Sequence, residues 1–263
     1  MTPLLERLGG LFSRPAPADV AALLPLPDPQ PDIVYAVGDV HGCLDLFRRM
    51  EEAVAEDAAR TGGRALMVLL GDVVDRGPDS AGMIDHLLAP PPAGGLHRIC
   101  LRGNHEDMMA RFLARPRGSS SWLDFGGFET LMSYGLRPPG AEGFELPERR
   151  LQQMLQTYVP QAHLDFFDAL PLGLQFGRFL LVHAALDPAA PLDRQPRDAL
   201  LWGRAEGLDL PGRTLVHGHT IVENVVFTPG RIAVDTGAYA TGRLSAVRLH
   251  ADGQAGLVEV TQR

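Results

Sequence analysis

From residue 33 onward, short unbroken apolar runs alternate with longer stretches in which apolar positions recur every three or four residues. IVYAV (33–37), ALMVLL (65–70) and HRICL (97–101) have the length and continuity of buried strands, whereas CLDLFRRMEEAVAEDAAR (43–60), SAGMIDHLLA (80–89) and DMMARFLA (107–114) have helical spacing. Continuous apolar strands alternating with helices predict a parallel sheet covered on both faces. Each strand runs into a polar loop: GDVHG, GDVVDRG and RGNHE in turn. From Asp39 to Asp72 is 33 positions and from Asp72 to Asn104 is 32, close to the ~30 residues of one strand-helix-strand unit. The three loops therefore emerge together along the carboxyl edge of one sheet, where open α/β sheets bind ligands.

Outside this regular region the pattern changes. Residues 1–31 read as a proline-rich arm, with LLERLGGLF spaced as a short amphipathic helix and the following RPAPADVAALLPLPDPQPD too rich in proline for a long one. Residues 116–170 read as an inserted helical layer broken by glycines. Beyond it the runs shorten to FLLVHAA, RTLVHGHT, ENVVFTP, RIAVD, LSAVRL and GLVEV, which predicts a second, mixed or antiparallel sheet. Two sheets with helices outside make an α/β fold of the four-layer αββα sandwich type. The expected organisation is an arm over 1–31 and a single domain over 32–263 with its insertion at 116–170.

Composition narrows the setting. A chain of 263 residues with 45% apolar content buries a sizeable core. No apolar run approaches the roughly 20 residues of a membrane helix, and the first residues lack a basic region followed by a long apolar one, so a cytoplasmic protein without membrane association is expected. The net charge of −8 argues against a general nucleic-acid surface. With only Cys43 and Cys100, and no CxxC pair, neither a disulfide framework nor a thiolate zinc site is expected.

The strand ends gather Asp39 and His41, then Asp72, Asp75 and Arg76, then Asn104 and His105, and later His183, His217 and His219. Carboxylates and imidazoles without thiolates suit manganese, iron or zinc. Three aspartates close together repel one another unless a cation compensates. A dinuclear centre does so, and two metals about 3.5–4 Å apart also lower the pKa of a shared water and clamp an in-line displacement at phosphorus. Each residue alone has an ordinary structural use: Asp after Gly forms turns and Asn caps helices. Such uses would have to coincide at three evenly spaced loops. His86, His97, His163 and His250 have no motif around them and are read as structural.

GDVHG, GDVVDRG and LRGNHE, followed by VHA and HGHT, resemble the calcineurin-like metallophosphoesterases, and within them a bacterial-type member of the phosphoprotein phosphatase family, over roughly residues 33–250. The resemblance implies the αββα sandwich and two divalent metal ions, manganese first and iron or zinc as alternatives. Asp39, His41 and Asp72 would hold one ion; Asp72, Asn104, His183 and His219 would hold the other. A bridging hydroxide would attack phosphorus, His105 would protonate the leaving oxygen, and Asp75 would orient His105. Arg76 and Arg204, the latter in LWGR, would bind phosphoryl oxygens, for which guanidinium forks are well matched. Glu106 would support the site from behind, and Trp122 or Tyr134 of the insertion would form a wall of the substrate groove. Ile221 stands where many phosphodiesterases of the superfamily carry a further histidine, which favours the phosphatase branch. The expected partner is a phosphoprotein or phosphopeptide, hydrolysed at phosphoserine or phosphothreonine with phosphotyrosine also open. The alternative is hydrolysis of diadenosine polyphosphates or related nucleotides. A catalytically dead binding module would need a broken ligand set, and no expected ligand is missing.

Overall fold

A computed structural model of the chain describes residues 19–26, 28–92, 96–136 and 147–262. The expected LLERLGGLF helix lies outside these residues. The described end of the proline-rich segment belongs to the body of the fold. Val20–Ala21 (β1) pairs antiparallel with residues 195–196, and Leu24–Pro25 (β2) pairs parallel with residues 174–175. Leu23 and Leu26 anchor it, each only 3% exposed. Proline is compatible with this because β2 is an edge strand, where a ladder donor is dispensable.

Ile33–Val37 (β3), Ala65–Leu69 (β4) and His97–Cys100 (β5) form the expected parallel array, joined through the helices Leu44–Thr61 (α1) and Ser80–Leu88 (α2). Val37 is opposite Leu69, and Leu69 opposite Cys100, so the three strands end level and their loops start from one line. After β5 come Asn104–Ala114 (α3), a 3-10 segment at Arg117–Phe125, and the helices Gly127–Ser133 (α4), Glu148–Tyr158 (α5) and Gln161–Ala169 (α6). Gly173–Phe176 (β6), Phe179–Val182 (β7), Gln195–Pro196 (β8), Arg197–Trp202 (α7), Thr214–His217 (β9), Val226–Thr228 (β10) and Arg231–Ala233 (β11) follow. The chain closes with Ala238–Thr241 (α8), Arg243–His250 (β12) and Ala255–Thr261 (β13).

Two mixed sheets result, in strand orders β13-β12-β3-β4-β5 and β10-β11-β9-β7-β6-β2. The period-two rule explains how they stack. Tyr35, Val37, Met67 and Leu69 face Phe47, Met50 and Val54 of α1, while Val34, Ala36, Leu66 and Val68 face Leu174, Phe176, Leu181 and Val216 of the other sheet. On the far side of the second sheet, Leu180, Val182 and Leu215 pack under Leu200 and Leu201 of α7. The αββα expectation holds, with a thin outer layer on that side.

Two expectations change. LSAVRL and GLVEV, expected in the second sheet, are β12 and β13 of the first, with β12 antiparallel to β3 along residues 246–250. An apolar pattern marks a strand but does not say which free edge it will join. β6, GLQF, had no predicted strand because its glycine and glutamine interrupt the apolar run; it is held by antiparallel pairing to β7.

Candidate functional site

Five non-glycine residues among those described have positive φ: His41 (47°), Asp72 (50°), Asp75 (73°), Arg76 (65°) and His219 (63°). All five were candidates from the sequence. Left-handed backbone costs an L-residue about 1–3 kcal/mol and persists only where its surroundings enforce it. Those surroundings are specific. The first loop hangs on the second, with His41 N–H donating to the Asp72 carbonyl (2.9 Å) and Gly42 N–H to that of Val73 (2.8 Å). Glu106, in the first turn of α3, accepts the backbone N–H groups of Asp72 (2.9 Å), Val73 (2.8 Å), Val74 (3.3 Å) and Gly103 (2.7 Å). One buried carboxylate thus fixes the GDVVD loop against the GNHE loop. Two glycines make room for carboxylates: a Cβ at Gly103 would lie 2.0 Å from Asp72 Oδ1, and one at Gly218 2.1 Å from Asp39 Oδ1.

Asp72 stands at the centre. Its Oδ2 lies 3.8 Å from His41 Nε2, 3.8 Å from His105 Nε2 and 3.4 Å from His183 Nε2. Two overlapping donor groups share it, His41 with His105 and His183 with His219, the donor atoms of each group lying within 4.8 Å of one another. Asn104 Oδ1 joins the second group, 2.8 Å from His183 Nε2 and 3.0 Å from His219 Nδ1. The far ring nitrogens set the aim: His41 Nδ1 donates to the Val74 carbonyl (2.8 Å) and His183 Nδ1 to that of Leu70 (2.9 Å), which turns each Nε2 lone pair inward. Asp39 accepts the His219 backbone N–H at 3.1 Å, linking the first strand of one sheet to the β9 loop of the other.

His105 Nδ1 is 2.6 Å from Asp75 Oδ2, so its Nε2 faces the centre. Asp75 is held in turn by Trp122 Nε1–H (2.7 Å) and the Thr130 hydroxyl (2.6 Å), both donated from the insertion. Arg76 spans the mouth, Nη1 2.9 Å from His41 Nε2 and Nη2 3.0 Å from His105 Nε2. Arg204 is exposed in the turn after α7; no hydrogen bond links it to the centre among the described residues.

Burial and the Asp235 and Asp72 carboxylates push Asp39 well above the usual carboxylate range. Burial and Asp72 likewise raise Glu106 to about 7 and Asp235 to about 6. Burial lowers His41 to about 3 and His219 to about 4, so these imidazoles are neutral. For His105 burial acts downward, but the Asp72 and Asp75 carboxylates prevail and hold it above the ordinary histidine range. Crowded acids that resist ionising beside neutral imidazoles are relieved by a divalent cation. Cys100, close by, is held as a thiol by burial. A donor set of carboxylates, one amide oxygen and neutral imidazoles therefore fits hard or borderline divalent metals.

The expected groove wall requires correction. Trp122 is 1% exposed and serves Asp75. The Tyr134 hydroxyl, also buried in large part, is 2.7 Å from His163 Nδ1, whose Nε2 is 3.0 Å from Asp85, joining the insertion to α2. His217 is buried beside the ligands, its Nδ1 2.9 Å from the Gly218 carbonyl and its Nε2 without a hydrogen-bond partner among the described residues. Sequence reasoning missed Asp235, buried against Asp39; its signal was another aspartate ending an apolar strand, in RIAVD. It also gave Glu106 too little weight.

A family model described as calcineurin-like phosphoesterase matches residues 33–238. Among curated proteins, the bis(5'-nucleosyl)-tetraphosphatase PrpE [asymmetrical] of Geobacillus thermodenitrificans is 27% identical, over 81% of this chain and 88% of that protein. The protein of the same name from Bacillus cereus strain 03BB102 is 26% identical with the same coverage. Of solved structures, one provisionally described as a diadenosine tetraphosphatase superposes with a TM-score of 0.60 at 21% identity, covering 92% of this chain and 100% of that one. A Saccharomyces cerevisiae serine/threonine phosphatase with similarity to human PP5 superposes with a TM-score of 0.53 at 18% identity, covering 99% and 88%. At these identities the two superpositions speak for the fold.

Proposed function

From the premise that the chain belongs to the calcineurin-like phosphoesterase family, a class of metal-dependent hydrolases, we propose that it cleaves dinucleoside tetraphosphates asymmetrically, to a nucleoside triphosphate and a nucleoside monophosphate. The observation that carries hydrolysis at phosphorus is the convergence on Asp72: one oxygen of this carboxylate faces imidazoles from both sheets, with His105 Nε2 in the same space. The nucleotide class is supported by likeness to the two tetraphosphatases over 88% of their length.

In this reading Asp39, His41 and Asp72 hold one divalent ion, and Asp72, Asn104, His183 and His219 hold a second; manganese suits the set, as iron and zinc do. When bound, the two ions supply a water of lowered pKa and offset charge on the phosphoryl oxygens. Arg76 grips those oxygens from the mouth, and Arg204 reaches them from the end of α7. His105 gives its proton to the leaving oxygen, and Asp75 keeps the imidazole aimed.

A second reading, hydrolysis of phosphoserine or phosphothreonine in proteins, draws on the Asp75–His105 pair, because a poised proton matters most for a strongly basic alkoxide leaving group. The manganese-loaded protein is to be assayed with diadenosine tetraphosphate beside phosphoserine, phosphothreonine and phosphotyrosine peptides. ATP and AMP in equal amounts, at a kcat/KM above those of the peptides, is the expected result. Preference for a phosphopeptide would replace the first reading by the second.

A further inference from the structure

Three of the exposed large apolar side chains are found at the mouth of the metal centre. Trp202, 44% exposed at the end of α7, has its ring 6.1 Å from that of His219 at an interplanar angle of 88°. Ile221, 46% exposed, follows His219 by two residues and lies over Gly237, where an added Cβ would be 3.2 Å from its Cγ2. Tyr239, 39% exposed, lies 5.3 Å from the His41 ring, with the Arg76 guanidinium 4.8 Å above its own. Trp202 therefore offers an apolar shelf on the His219 side of the centre, and Tyr239 one on the His41 side.

A phosphoryl group has no use for such a shelf, whereas the flat face of a nucleobase does. Arg76 already occupies part of the space over Tyr239. Trp202 has the larger ring and stands beside the His183–His219 half. Resting on the nucleotide reading above, we propose that Trp202 is the stacking platform for a nucleobase of the substrate. Trp202 is then a specificity residue: it favours a phosphoryl group that carries a nucleoside over one that does not.

The test uses the manganese-loaded full-length protein and its Trp202→Ala and Trp202→Phe variants, assayed with diadenosine tetraphosphate and with glycerol 2-phosphate, which has no ring to place on the shelf. For Trp202→Ala the KM for the dinucleotide should rise roughly tenfold or more, the magnitude of a lost base-aromatic stack, with kcat nearly unchanged. Trp202→Phe should recover most of it, and glycerol 2-phosphate turnover should be the same in all three proteins. Indole emission should also be quenched by ATP in the wild type and not in Trp202→Phe, since the other tryptophan, Trp122, is buried. Unchanged dinucleotide kinetics in Trp202→Ala, in a wild type that does cleave the dinucleotide, would overturn the stacking role alone. Equal losses on both substrates would make Trp202 a packing support for His219 and overturn it as well. A wild type that turns over glycerol 2-phosphate but not the dinucleotide would overturn the nucleotide reading and the stacking role with it.

Discussion

A single imidazole separates the two candidate chemistries. His105 is turned inward by a 2.6 Å contact with Asp75, whose carboxylate also favours its charged form, the orientation a proton donor needs. The benefit of a donor grows with the basicity of the leaving oxygen. A serine alkoxide needs the proton, whereas a nucleotide phosphate leaves readily without it. Replacing His105 by Ala should therefore cost roughly 100- to 10,000-fold in kcat on a phosphoserine peptide and a smaller factor on diadenosine tetraphosphate. Side-by-side steady-state assays measure the difference, and equal losses would show that His105 does something other than protonate the leaving group. Most of the candidate site was legible at this scale because Asp39, His41, Asp72, Asn104 and His105 sit in short motifs with level spacing. Glu106 was not, because its importance lies in four backbone N–H groups it accepts, and sequence spacing does not reveal backbone partners. Asp235 stayed hidden because it meets the site through Asp39 and Asp72, far away in the chain.

Among the elements, the insertion has the least obvious duty. Its helices bury Leu131, Leu151, Leu155 and Phe167 in the cluster beneath the first sheet, and its 3-10 segment and α4 send Trp122 and Thr130 to opposite oxygens of Asp75. Trp122→Phe keeps an aromatic ring beside Phe112, 4.8 Å away in the wild type, while removing one donor. Expected is a fall in kcat of roughly 10- to 100-fold with metal content unchanged, the usual scale for loss of a partner that orients a site residue. Metal analysis alongside kinetics decides; loss of bound metal in step with activity would assign the insertion to holding the centre together. The sequence pattern recognised this stretch as helical but placed Trp122 on a groove wall, because a tryptophan among glycines and serines looks exposed until its partners are known. The reassignment of β12 and β13 has a related cause. β12 is buried on both faces, with Leu244 and Ala246 on one and Val247 and Leu249 on the other, and an alternation of that kind suits either sheet.

For the molecule as a whole, the candidate metal centre works against the fold while no cation offsets its acids. Five strained non-glycine residues and a cluster of buried acids are held in place by the surrounding sheets. Metal binding to the native state alone adds stability by mass action, about 2.7 kcal/mol at a free concentration 100 times Kd. For a chain of this length that corresponds to roughly 5–10 °C in Tm. Thermal unfolding with manganese and after EDTA treatment should differ by about that much, and coincident curves would mean that these residues hold no metal. The donors also come from different halves of the sandwich: Asp72 follows β4 of one sheet, while His183 and His219 follow β7 and β9 of the other. An ion shared among them acts as a rivet. The sheets cannot slide or part at that end without breaking its bonds, so the amides of β4, β7 and β9 should exchange with solvent on one common clock, slowed together by metal. The outer strand β13, paired on one side only and far from the rivet, keeps its own.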